Sequence, residues 1–267
     1  MLRQVRALVD LGPLHGPLRA LSWLAGTRDL ERKVLQWTRR PHVRSRYGVK
    51  LTSNWSDATF KLCYFGSYGH TLSGLLKGQK DPFIFLDIGS NQGLYSLIAG
   101  QNPHCRGVIA FEPVPQTFSL LSRNVALNGL GARVQPVNKA IAAEKGTSVI
   151  RMNPEHSGGA SMQTANAVSG QEIEIHTIDH DDLDELIPAG DIPIIVKIDV
   201  EGFEQIVVSE LVKSRHVKRI TEIFYEMDEQ WADGEAVERL LKEAGFKSFR
   251  RIQTAPEHTH YDVLASR

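Results

Sequence analysis

Cysteine is scarce in this 267-residue chain, which has only Cys63 and Cys105. Two lone thiols offer neither metal-ligand spacing nor a disulfide framework, so a reducing cytoplasm is the expected setting. Long apolar runs are missing as well. None reaches the roughly 18 to 20 residues that a membrane helix requires, and no leader with a cleavage site is visible. No internal repeat and no extended low-complexity tract interrupts the chain. Net charge is also absent, because 31 Lys and Arg balance 31 Asp and Glu. The balance is uneven along the chain. Residues 1–50 hold eleven Lys and Arg against three Asp and Glu, an excess of +8 that leaves −8 for the remainder. An acidic core argues against nucleic acid as the partner, since that would call for a basic face around the pocket.

What is present suits one α/β domain with an extension. Hydrophobic residues make up 42% and charged residues 23%, enough to bury a sizeable core. The division expected is a basic helical extension over residues 1–50 and a main domain over residues 51–267. In the extension, Leu8, Leu11, Leu14, Leu18, Leu21 and Leu24 recur at helical steps, while Pro13 and Pro17 break any single helix. Two or three short amphipathic helices follow. Their apolar stripe packs on the main domain or, alternatively, docks on a membrane surface or a partner.

The stretch that organises the rest is FIFLDIGSNQGLYS, residues 83–96. Phe83 to Leu86 form a continuous apolar run behind Asp81 and Pro82, the pattern of a strand buried on both faces. Asp87 then stands at its carboxyl end. Gly89 and Gly93 let the backbone turn tightly and approach a ligand, and a helix begins at Leu94 with free N–H groups at its start. A second apolar strand, Gly107 to Phe111, ends at Glu112 and Pro113. Glu112 lies nineteen residues beyond Gly93, near the separation at which an acidic residue at the second strand tip accepts both ribose hydroxyls of a nucleotide. A helix over Pro115 to Asn128 and a third strand over Arg133 to Val137 continue the alternation, which is that of a doubly wound parallel sheet.

Further along, Thr147 to Met152 and Glu172 to Thr177 alternate as strands. The polar segment between them is long enough to be a mobile loop over the site or simple disorder. Asp179 to Asp184 is an acidic run that starts a helix, with divalent-cation binding as the alternative. Ile192 to Ile198 is a second buried strand, and it delivers Asp199 and Glu201 at its carboxyl end, where open α/β sheets bind ligands. By strand alternation Lys197 and Asp199 face the same side. Trp55, Phe60, Tyr64, Phe65 and Tyr68 cluster upstream and either line an acceptor pocket or cap the sheet. Arg219 to Met227 is another strand, Trp231 to Ala244 a helix, and Phe246 to Ile252 with Tyr261 to Leu264 a closing strand pair.

Five of these blocks carry a family resemblance. LDIGSNQGLYS at 86–96, FEPVPQTFSLLSRNVALNG at 111–129, TID at 177–179, VKIDVEGFE at 196–204 and YFGSYG at 64–69 together resemble the FkbM-type S-adenosylmethionine-dependent methyltransferases. The likeness spans roughly residues 55 to 250. It implies a class I, Rossmann-like methyltransferase fold whose mostly parallel sheet ends in a late antiparallel hairpin. It also implies S-adenosyl-L-methionine as cofactor and methyl transfer to a hydroxyl of a sugar, glycolipid or small natural product. By position, Asp87, Gly89, Asn91 and Gly93 would surround the methionine end of the cofactor. Glu112 would hold the ribose and Ala140 would lie near the adenine, with Ser90 and Pro113 completing the cofactor-binding set. Asp199 and Glu201 fall on the acidic motif that faces the transfer site and are the catalytic candidates, Asp199 as general base and Glu201 to orient it or the acceptor. No metal ligand is assigned. Two other functions share some of these features: an NAD-dependent oxidoreductase, which lacks its third fingerprint glycine here, and a non-catalytic interaction module.

Overall fold

A computed structural model describes residue 33 and residues 40–153, 156–161, 171–229, 232–252 and 260–267. The Leu-rich helices expected within residues 1–39 lie outside the described residues. In chain order the strands and helices are β1 (His42–Arg44), β2 (Lys50–Thr52), α1 (Ala58–Phe65), α2 (His70–Gly78), β3 (Phe83–Ile88), α3 (Leu94–Gln101), β4 (Cys105–Phe111) and α4 (Pro115–Leu127). There follow β5 (Val134–Val137), β6 (Ala140–Ile141), β7 (Gly146–Asn153), β8 (His156–Ser161), β9 (Gln171–Ile178), α5 (His180–Leu186), β10 (Ile194–Ile198) and α6 (Glu204–Lys213). The last elements are β11 (Ile220–Asp228), α7 (Gly234–Glu243), β12 (Ser248–Ile252) and β13 (His260–Ser266).

Seven strands form the central sheet in the order β12-β13-β11-β10-β3-β4-β5. The pairs β11/β10, β10/β3, β3/β4 and β4/β5 are parallel, whereas β13 runs antiparallel to both β11 and β12. Side chains of β3 alternate between two cores. Phe83 and Phe85 enter one cluster with Leu97, Val108, Leu121 and Tyr64, while Ile84, Leu86 and Ile88 enter a second with Val196, Val207, Leu211 and Val237. All six β3 residues are therefore buried, and the apolar run has helices on both sides. This is the doubly wound α/β architecture with a late antiparallel hairpin that the residue pattern leads one to expect.

Helix ends follow local chemistry. Asp57 caps α1 by accepting from the Thr59 and Phe60 amides, and Gly66 closes it in a left-handed conformation. Pro115 occupies the first position of α4, where its missing N–H is not needed. Asp233 caps α7 through the Ala236 amide, so this helix starts later than the apolar pattern from Trp231 suggests.

Two expectations change. The alternation Tyr47, Val49, Leu51, which in the sequence suggests a short strand around Arg46 to Ser53, yields only the three-residue β2, because Gly48 at φ 92° turns the chain and β2 folds back on β1 as an antiparallel hairpin. That hairpin straddles position 50 and is tied to α4: Asn128 Oδ1 accepts from the Lys50 amide at 2.9 Å and Asn124 Oδ1 from the Thr52 amide at 2.7 Å. The polar stretch between β7 and β9 is not wholly loop either, since β8 pairs with β7 to give a second sheet ordered β6-β9-β7-β8. Residues 162–170 lie outside the described residues. No described helix is long and apolar enough to cross a membrane.

Candidate active site

The carboxyl ends of β3, β4, β10 and β11 open into one crevice with a cavity of about 300 Å³. Its floor is the turn after β3. Gly89 has φ 75°, and a Cβ there would lie 1.9 Å from the backbone oxygen of Asp199, so the β3 and β10 turns touch and leave no room for a side chain. Asn91 is itself left-handed at φ 49°. Ser90 is fixed on the neighbouring strand, its amide and Oγ both donating to the Phe111 carbonyl at 2.8 and 3.1 Å.

At the β4 tip, buried Glu112 turns into the same crevice. Its Oε2 accepts from the Asn91 amide and its Oε1 from the Val114 amide, each at 2.9 Å. Burial pushes the carboxyl up to about 7, against the opposing pull of those two N–H groups. Asn138 Nδ2 holds the strand end by donating to the carbonyls of Glu112 and Pro113 at 2.8 and 2.9 Å. Ile88, Phe111, Val114, Ala140 and Ile141 supply apolar wall beside Lys139.

The other end is acidic. Lys197 is 3% exposed, and its Nζ lies 3.3 Å from Asp199 Oδ2, 3.6 Å from Asp87 Oδ1 and 2.6 Å from the Gly89 carbonyl it donates to. Burial alone would lower this amine, but the two carboxylates more than reverse that and hold it above the ordinary lysine range. Glu201, at φ 48°, and Glu226 also line the crevice. Burial and then the charge of Asp199 raise Glu201 to about 7 and Glu226 to about 8. His260 pairs through Nε2 with Glu226, and this bond is the main reason its imidazole rises to about 9. Burial and Asp199 lift Asp262 to about 6.

Eight of the ten residues expected from sequence therefore line the crevice: Gly89, Ser90, Asn91, Glu112, Pro113, Ala140, Asp199 and Glu201. Asp87 and Gly93 stand behind its wall. Asp87 is wholly buried and accepts from Ser96 N and Oγ at 3.0 and 2.5 Å, so its reach is to α3 and Lys197. Gly93, at φ 90°, gives Leu121 its place, for a Cβ there would sit 2.5 Å from Leu121 Cδ1. Among the aromatic residues upstream, Tyr68 reaches the crevice, whereas Trp55 packs edge-on against Phe60, Tyr64 and Phe65. The acidic run at Asp179 caps α5 by accepting from the Asp182 amide, and no metal-ligand cluster occurs among the described residues. Glu226, His260 and Tyr95 were not singled out by sequence. Glu226 and His260 are 34 residues apart, and only the antiparallel pairing of β13 with β11 brings them together.

The family model for the methyltransferase FkbM domain matches residues 87–248, more than half the chain. The protein belongs to this family. Among its relatives, methyltransferase sdnD of Sordaria araneosa is 27% identical over 66% of this chain and 78% of its own. Hexuronic acid methyltransferase AglP of Haloferax volcanii is 30% identical over 49% of this chain and 50% of its own. A solved structure of TrmK from M. capricolum with S-adenosyl-homocysteine aligns over 74% of this chain and 68% of that one, at 12% identity and a TM-score of 0.47. Membership makes the protein a methyltransferase and implies S-adenosylmethionine as the methyl donor. The oxidoreductase alternative falls with it.

Proposed function

We propose that the protein transfers a methyl group from S-adenosylmethionine to a hydroxyl oxygen of a sugar, glycolipid or small natural product. The observation that carries this reading is the polarity of the crevice, with a ribose-type carboxylate at one end and a group of carboxylates at the other.

The crevice residues fit the donor. Each Glu112 oxygen accepts one amide and keeps a second lone pair, which suits two hydroxyl donors from a ribose. Ile88, Phe111, Val114 and Ala140 offer apolar surface for an adenine, and the tight turn at Gly89 to Asn91 leaves the backbone close to whatever lies above it. When bound, the sulfonium supplies an activated methyl. The protein's task is then alignment and proton removal, and alignment can supply up to about 7 to 11 kcal/mol of the barrier.

Asp199 acts as the general base for the acceptor hydroxyl, and Glu201 orients it or the acceptor. Lys197 holds Asp199 in place at 3.3 Å from the β10 side, and the main-chain bond from Asp199 N to the Ile88 carbonyl at 3.1 Å fixes its backbone. The named relative that acts on hexuronic acid supports a sugar as the acceptor class. Incubation with isotopically labelled S-adenosylmethionine and a panel of glycosides, read by mass spectrometry, tests the reading. Labelled O-methyl product is expected from wild type, and Asp199→Asn should lose roughly 10²- to 10⁴-fold in turnover while binding S-adenosylhomocysteine normally. Lost cofactor binding with turnover intact at saturation would instead place Asp199 on the donor.

A further inference from the structure

Glu226 and His260 line the acidic end of the crevice without a part in the chemistry above, and both stand beside the proposed base. On β11, Glu226 follows Tyr225, which pairs with Ile198 of β10, so the strand register brings Glu226 abreast of Asp199. On its other side, antiparallel pairing sets Asp262 opposite Glu226 and His260 opposite Asp228. Opposed residues share a face of the sheet, which makes His260 the diagonal neighbour of Glu226. The side chains complete what the register begins. Besides burial and the charge of Asp199, a side-chain hydrogen bond to Asp199 raises the Glu226 carboxyl, so a proton lies between the two acids. Glu226 Oε1 also pairs with Nε2 of His260, whose half-exposed ring has its Nδ1 3.8 Å from Asp228 Oδ2. Asp199, Glu226 and His260 thus form one connected row from the crevice to solvent.

We propose that Glu226 and His260 are a proton relay that carries the acceptor's proton from Asp199 to water while the crevice is occupied. This rests on the methyl-transfer reading and deepens it. The acceptor hydroxyl gives its proton to Asp199 as the oxygen–methyl bond forms and the sulfur–methyl bond breaks with its electron pair going to sulfur. The proton then passes from Asp199 to Glu226 and on to the imidazole, and His260 gives one to water from its exposed edge. Asp199 is a carboxylate again. With the Lys197 ammonium at 3.3 Å it is a poor resting place for a proton, and positive charge brought by the donor acts in the same direction. Bound ligands cover the side of Asp199 that faces the crevice, whereas the row leaves by way of β11 and β13. Lys197, Glu201, Asp228 and Asp262 are the further charged groups that face its members.

The test compares steady-state kinetics of wild type, His260→Ala and Glu226→Gln on a glycoside of the labelled panel that wild type methylates. In His260→Ala, kcat is expected to fall roughly tenfold or more, with acceptor KM and S-adenosylhomocysteine affinity unchanged, and added imidazole should restore turnover in proportion to its concentration. Glu226→Gln should lose as much and not respond to imidazole, since the break then lies ahead of the ring. Full kcat in His260→Ala, or a loss that imidazole does not recover, overturns the relay alone, provided that wild-type turnover still needs Asp199. A second arm needs no acceptor. Followed by NMR, the His260 midpoint, about 9 in wild type, should drop toward the ordinary value of about 6.5 in Glu226→Gln, and an unchanged midpoint overturns the row. Absence of both methylation and S-adenosylhomocysteine binding overturns the methyl-transfer reading and the relay with it.

Discussion

Lys197 links the two halves of the site through a single buried ammonium. It touches Asp87 beneath the β3 turn, Asp199 at the acidic end of the crevice and the Gly89 carbonyl between them. Replacing it with Met strands two carboxylates, one of them wholly buried, and removal of one partner from a buried ionic group typically costs about 3–5 kcal/mol. Chemical denaturation of Lys197→Met should show a loss of that order, whereas a change under about 1 kcal/mol would mean the carboxylates are neutral without it. At the other end, Glu112 was legible in sequence because a strand tip and its spacing from the glycine turn are both local facts. Glu226 and His260 were not, since nothing near either residue marks it and their meeting depends on which strands pair late in the sheet.

Among the elements, the turn after β3 is the least forgiving. Gly89→Ala would drive a Cβ to 1.9 Å from a backbone oxygen that cannot swing aside, in addition to forcing a positive φ. Strain of this kind costs at least about 1–3 kcal/mol before the clash is counted. Gly93→Ala carries the same penalty of a positive φ, but its clash is with the end of Leu121, a side chain that can move. Thermal unfolding should therefore rank Gly89→Ala well below Gly93→Ala, with the reverse order contradicting the close contact of the β3 and β10 turns. The strands β3, β4 and β10 could be read from the chain because burial on both faces writes an unbroken apolar run. The hairpin strand β8, HSGGAS, could not: its residues are small and polar, and its pairing with β7 is set by the sheet rather than by its own composition.

At the scale of the whole molecule, burial has raised several acids together, and this sets how stability depends on pH. Glu112 and Glu201 are lifted to about 7, Glu226 to about 8 and Asp262 to about 6, all above their ordinary values. The folded protein thus keeps protons that the unfolded chain releases near pH 4 to 4.5, and stability falls as pH rises from there to about 8. His260, raised to about 9 chiefly by its bond to Glu226, adds stability that is complete below about 6.5 and lost on passing through 9. Both effects have the same sign. The unliganded protein should melt lower at pH 9 than at pH 6, by roughly 2–4 °C for each kcal/mol lost. His260→Gln should flatten the part of that fall above pH 6.5.

The central claim, that this crevice holds the methyl donor by its ribose at Glu112, is met most directly by calorimetric titration of S-adenosylhomocysteine into wild type and Glu112→Gln at one pH. A carboxylate hydrogen-bonded to hydroxyls contributes about 1.5–3 kcal/mol, so the variant should bind roughly 10- to 150-fold more weakly while melting cooperatively as wild type does. Equal affinity in the two proteins, or no binding to wild type, would contradict the account.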